Sequence, residues 1–128
     1  MRLLLDTHAF LWFILDDPKL SLKAKEALIN PENELYLSIA SIWEMAIKVN
    51  LGRLMLKQPF EIFIQTQLNT NAINILPIAL KHCVHVASLA FHHRDPFDRL
   101  IVSQCLAENI PLVSADVWLD HYAITRIW

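Results

Sequence analysis

Four acidic residues stand where metal-assisted phosphoryl chemistry would want them. Asp6 ends the apolar run Leu3-Leu4-Leu5, Glu44 lies a few residues beyond the apolar stretch Glu34–Ser38, Asp98 stands three residues after Asp95, and Asp116 follows Pro111-Leu112-Val113-Ser114 with one residue between. Carboxylates brought within a few ångströms of one another repel, so that without a cation at least one takes up a proton at raised pKa. A hard divalent ion relieves this. A cluster of carboxylate oxygens without Cys or His suits Mg²⁺ or Mn²⁺, and the reaction such a site favours is phosphodiester hydrolysis, in which the metal acidifies a bound water and neutralises phosphate charge.

Each acid also has a purely structural reading. Asp6 or Thr7 can cap the helix that follows, Ser41-Ile42-Trp43-Glu44 matches a capping box, Asp95-Pro96-Phe97-Asp98 is an N-cap, N1 proline and N3 acid, and Asp116 can cap the turn containing Trp118. Capping places acids near helix starts. It does not require them to meet at one edge of one sheet.

Whether they meet depends on the elements between them. Leu3–Leu5, Glu34–Ser38, Ala72–Leu76 and Pro111–Ser114 are short apolar runs that read as strands, and Ala123–Trp128 reads as a closing strand. Helical patterns follow Asp6, then span Ser21–Asn30, Ser41–Asn50, Phe60–Asn69, Ile78–Phe91 and Asp95–Glu108, with a helical turn at Trp118–Tyr122. Pro18, Pro31 and Gly52 punctuate these segments. Apolar strands alternating with helices predict an α/β protein, with a central, mostly parallel sheet of four to five strands between two helical layers. Ligands of such sheets bind beyond the carboxyl ends of the strands, which puts Asp6, Glu44 and Asp116 at one edge. Asp98 joins them only if its helix starts there.

The chain's 128 residues make one domain, 1–128, and a hydrophobic fraction of 55% with 19% charged residues excludes disorder. That apolar excess means either a generous core or surface covered by a partner. A net charge of −2 carries no global nucleic-acid signature, so any nucleic-acid contact would have to come from local basic residues. No apolar run is long enough for a membrane helix, and the acid at position 6 comes too early for a signal peptide, so a cytoplasmic location is expected. Cys83 and Cys105, both in helical segments, are expected to be free thiols.

Five motifs together resemble the PIN-domain ribonucleases, specifically the VapC-type toxins of toxin–antitoxin pairs. They are Leu4-Leu5-Asp6-Thr7-His8, the stretch Ser38-Ile39-Ala40-Ser41-Ile42-Trp43-Glu44-Met45-Ala46-Ile47-Lys48, then Leu51-Gly52-Arg53-Leu54, His93-Arg94-Asp95-Pro96-Phe97-Asp98-Arg99, and Leu112-Val113-Ser114-Ala115-Asp116. They span the chain in the family's order. The resemblance implies a three-layer α/β/α PIN-like fold, and an Mg²⁺- or Mn²⁺-dependent endoribonuclease whose metal is bound by Asp6, Glu44, Asp98 and Asp116. It further implies a small homodimer and a cognate antitoxin whose tail covers the groove. Asp95 belongs to the same motif and is either a metal ligand or the helix cap.

Thr7 and Ser38 sit beside the expected metal edge, where they can cap helices or bond a carboxylate or a metal water. Lys48, Arg53, Arg94 and Arg99 are candidates for phosphate contacts, against the alternative of solvated surface charge. His82 and His85, next to Cys83, lack a zinc pattern and read as a solvent-facing helix; His92 and His93 read as a helix end, with contact to RNA as the alternative. The four tryptophans read as core or interface rather than base-stacking platforms. Two rival phosphoryl-transfer classes fail: a haloacid-dehalogenase-like enzyme needs an Asp where His8 stands, and a receiver domain needs an Asp after the third strand, where Pro77-Ile78 stands. A metal-dependent DNA nuclease and a catalytically silent module binding RNA or a partner both remain open.

Overall fold

Leu3, Leu4 and Leu5 are all fully buried, which a strand achieves only when both faces of its sheet are covered. A computed structural model describes residues 1–128. Its elements run β1 (Arg2–Leu5), α1 (Thr7–Ile14), α2 (Leu22–Ile29), β2 (Glu34–Ser38), α3 (Ile39–Asn50), α4 (Phe60–Thr70), β3 (Ile73–Leu76), α5 (Leu80–Ala87), α6 (Pro96–Glu108), β4 (Leu112–Val113), a 3-10 turn (Val117–His121) and β5 (Arg126–Ile127). The five strands are ordered β3-β2-β1-β4-β5, and every pairing is parallel. The expected α/β/α layering holds, with no antiparallel strand.

Side-chain alternation sorts each strand between two cores. Leu3, Leu5, Leu35, Leu37 and Val113 pack with Ala9, Phe10, Ala24, Leu28, Phe63, Ile64 and Leu68 from α1, α2 and α4. Leu4 and Leu112 pack with Ile101, Val102 and Cys105 of α6 and with Leu119 and Tyr122. β1 lies at the centre, where the chain turns from building outward through β2 and β3 to building the other way through β4 and β5. That reversal opens a crevice at the carboxyl ends of β1 and β4. Both cysteines are free, Cys83 exposed and Cys105 buried, and no helix is long and apolar enough to cross a membrane.

Three local expectations are corrected. The helix expected over Ile78–Phe91 ends at Ala87, because the carbonyls of Leu89, Ala90 and His93 are drawn away to the Arg99 guanidinium at 3.1–3.3 Å. α3 starts at Ile39, not Ser41, so the capping box does not form. Ser38 caps it instead, its hydroxyl accepting from the Ala40 N–H at 3.0 Å. His82 is buried, not solvent-facing: Nδ1 accepts from the Ala79 N–H at 2.9 Å, and Nε2 lies 2.9 Å from Glu108 Oε1.

Candidate active site at the carboxyl edge of the sheet

Asp6 is the first residue past β1 and the N-cap of α1, with Oδ1 accepting from the Ala9 N–H at 2.8 Å. Its burial raises its pKa, against the lowering effect of bonds from Ser114 and Ala9, while Asp116 nearby raises it further. Glu44, in the second turn of α3, is fixed on both oxygens. The Thr7 hydroxyl donates to Oε1 at 2.7 Å, and Lys48 one turn on lies 3.1 Å from Oε2. Thr7 is therefore a carboxylate partner, and the cap of α1 is Asp6.

Asp95 caps α6, with Oδ1 accepting from the N–H of Phe97 at 2.8 Å and of Asp98 at 3.4 Å. This start brings Asp98 to the same edge. Its carboxyl is pushed up to about 7, first by burial and then by the negative charge of Asp95, with further increments from Asp6 and Glu44 and an opposing pull from His93. Asp116 caps the 3-10 turn: Oδ1 accepts from the Trp118 N–H at 3.0 Å, and its own N–H bonds the Ser114 hydroxyl at 3.1 Å. Capping and convergence thus coexist in the same side chains.

His93 is the site residue that the sequence reading missed. Its Nε2 lies 2.7 Å from Asp116 Oδ2 and 3.5 Å from Asp98 Oδ2. Ligand atoms of His93, Asp98 and Asp116 all fall within 4.8 Å of one another, so the tightest group includes a histidine after all. Nδ1 accepts the Asp95 N–H at 3.1 Å, so the ring proton resides on Nε2 and points at Asp116. The available signal was its place at the head of the motif running from His93 to Arg99.

The basic candidates divide. Lys48, Arg53 and Arg94 line an open groove of about 470 Å³ together with Glu44, Asp95 and Phe97. Arg99 does not join them: it is buried, its guanidinium bonded to three carbonyls and lying 4.1 Å from the Phe91 ring centroid, so it braces the 88–95 loop and is withdrawn from phosphate. Ser38 is fully buried and spent on capping α3, which removes it from substrate.

The donor set fits a hard divalent cation. Burial first, and then the charge of neighbouring carboxylates led by Asp95, leaves Asp98 holding a proton near neutrality, and a bound cation would replace that proton. Asp6, Glu44, Asp98 and Asp116 could hold such an ion. Asp95, the cap of α6, and His93, whose Nε2 proton points at Asp116, stand beside these four.

The PIN domain family model matches residues 3–124. Among solved structures the chain is similar to VapBC-1 from nontypeable Haemophilus influenzae, at 21% identity over 98% of this chain and 96% of that chain with a TM-score of 0.70. It is also similar to VapBC2 from Rickettsia felis, bound there to a DNA fragment from their promoter, at 18% identity, 98% and 97% coverage and a TM-score of 0.71. FitAcB from Neisseria gonorrhoeae gives 16% identity, 97% and 95% coverage and 0.66. No curated protein matches the sequence significantly.

Proposed function

Because the chain belongs to the PIN-domain family, we propose that it is a metal-dependent endoribonuclease acting as a VapC-like toxin. The observation that carries this reading is the placement of Asp6, Glu44, Asp98 and Asp116 about the β1/β4 crevice. Asp98, pushed up to about 7 first by burial and then by Asp95, also feels the charges of Asp6 and Glu44; its ligand atom lies within 4.8 Å of that of Asp116, and Asp116 in turn raises Asp6. These four carboxylates hold the metal, with Asp95 behind Asp98. A bound Mg²⁺ or Mn²⁺ supplies an acidified water and offsets the charge of the scissile phosphate. Thr7 and Lys48 fix the two oxygens of Glu44, and His93 orients Asp116. Lys48, Arg53 and Arg94 guide the flanking phosphates along the groove beside the acids.

The similarity to VapBC and FitAB complexes supports a small antitoxin as the natural inhibitor; a homodimer working in the cytoplasm belongs to the same proposal. Purified protein freed of any partner is expected to cleave single-stranded RNA with Mg²⁺ or Mn²⁺. It should lose cleavage in Asp6→Asn and Asp98→Asn. Equal cleavage in EDTA would overturn the metal mechanism, cleavage of single-stranded DNA but not RNA would make it a DNA nuclease, and binding without cleavage of either would make it a silent module.

A further inference from the structure

The acids and the groove cations leave one feature beside the site without a role. Trp118, two residues past Asp116, is 62% exposed, while its neighbour Leu119 fills the core. The Trp118 ring stacks on His121 with centroids 5.5 Å apart and planes at 19°, and His121 stacks on His92 at 5.5 Å and 30°. His92 in turn stands edge-on to Tyr122 at 5.2 Å. The base of this array is rigid. The buried Tyr122 hydroxyl accepts from the N–H of His92 at 3.1 Å and of His93 at 3.0 Å, and donates to the Ala90 carbonyl at 2.8 Å.

The rings border an open cavity of about 520 Å³ lined by His92, His93, Arg94 and Trp118. It shares His93 with the acid cluster and Arg94 with the groove that also holds Lys48 and Arg53. A single strand laid along this path would keep its phosphates by the cations while a base turns onto the rings. Stacking needs only an aromatic face, and a neighbouring guanidinium adds to it.

We propose that Trp118, His121 and His92 form a stacking platform for a nucleobase adjoining the scissile phosphate of single-stranded RNA. The proposal rests on the ribonuclease reading for its substrate and names a base-binding subsite for it. Core packing does not account for Trp118, since its ring is exposed. An antitoxin segment is the competing occupant, and the cations shared with the groove favour the polyanion.

The test compares wild type, Trp118→Ala and Trp118→Phe on a fluorescein-labelled single-stranded RNA, reading KM and kcat with Mg²⁺. Anisotropy then gives Kd in an Asp6→Asn background, using the intact oligonucleotide and a set with single abasic positions. Trp118→Ala should raise Kd and KM by about 5- to 150-fold, the loss of one stacked base. Trp118→Phe should stay near wild type, and one abasic position should weaken binding to the protein with Trp118 while abolishing the effect of Trp118→Ala. Because the abasic series reads the platform without mutating it, a Trp118→Ala variant that fails to fold does not shield the proposal. Unchanged Kd in folded Trp118→Ala, or an abasic series without a sensitive position, overturns the platform. So does loss of a co-purifying small protein with RNA binding intact. Cleavage by wild type and Trp118→Ala at equal KM sinks the platform alone. Binding that depends on Trp118 without cleavage by wild type sinks the ribonuclease reading alone, and a wild type that neither binds nor cleaves sinks both.

Discussion

At the scale of single residues, His93 and Asp98 show how the protein keeps a crowded anionic site ready. His93 offers Asp116 a proton that its own Nδ1 bond to Asp95 holds on Nε2. Removing such a support costs about 10- to 100-fold in metal affinity or activity. His93→Ala should therefore weaken Mn²⁺ binding, followed by electron paramagnetic resonance titration, by about that factor, and His93→Gln, whose amide can donate, should recover part of it. Equal Mn²⁺ affinity in all three proteins would mean that Asp116 needs no brace. Asp98 gives a prediction in pH. Its carboxyl stands at about 7 in the folded metal-free protein against an ordinary 3.8, so the folded state binds more protons than the unfolded between those values. Stability is then greatest below about 4 on this group's account, declines as pH rises, and has lost its full share above about 7. Asp98→Asn should raise metal-free stability at pH 8 by on the order of 2–4 kcal/mol in urea unfolding, the equivalent of about three pKa units. Added metal should bind wild type with proton release, its affinity falling about tenfold per pH unit below 7.

At the scale of elements, what could be read from the sequence was what is local. Leu3–Leu5 and Leu35–Leu37 announce buried strands, and Asp95-Pro96 announces the start of α6, because apolar runs and cap residues act within a turn or two of themselves. The end of α5 was not legible. Periodicity ran through Leu89 and Phe91, yet Arg99 in the following helix α6 and Tyr122 near the end of the chain bind the carbonyls and N–H groups of the 88–95 segment and hold it as a loop. The same side-chain-to-backbone bonds, which no apolar periodicity signals, hold the loop from which His93 reaches Asp116, so one histidine missed and one arginine misassigned share a cause. Arg99→Lys tests it. A lysine cannot reproduce the fork to three carbonyls, and leaving buried acceptors unmet costs about 1–3 kcal/mol each at most. We expect a loss of about 2–4 kcal/mol in urea unfolding together with protease cleavage within residues 88–95. Unchanged protection of that loop would show that Tyr122 holds it alone.

For the molecule as a whole, the apolar excess and the acidic balance need one account. Only 34 of 128 residues are buried, so a composition 55% hydrophobic leaves large side chains outside: Trp43, Leu51, Met55, Leu80 and Phe91 are each more than half exposed. Surface of that kind suits a protein that spends its life covered by a second chain. On the proposed ribonuclease reading, the net charge of −2 limits how RNA can be held. Lys48 is already paired with Glu44, so Arg53 and Arg94 are the cations of the groove without an acid partner of that kind. With two or three phosphates neutralised, log Kd should change with log salt by a slope of only about 1.4–2 for a single strand. This is measured by anisotropy on Asp6→Asn at fixed Mg²⁺ while KCl is varied. A slope of five or more would require a broad basic surface that this chain does not have, and would point to residues of a partner copy completing the groove. A shallow slope means that the few groove cations supply only part of the affinity and that contacts independent of salt, stacked bases among them, supply the rest.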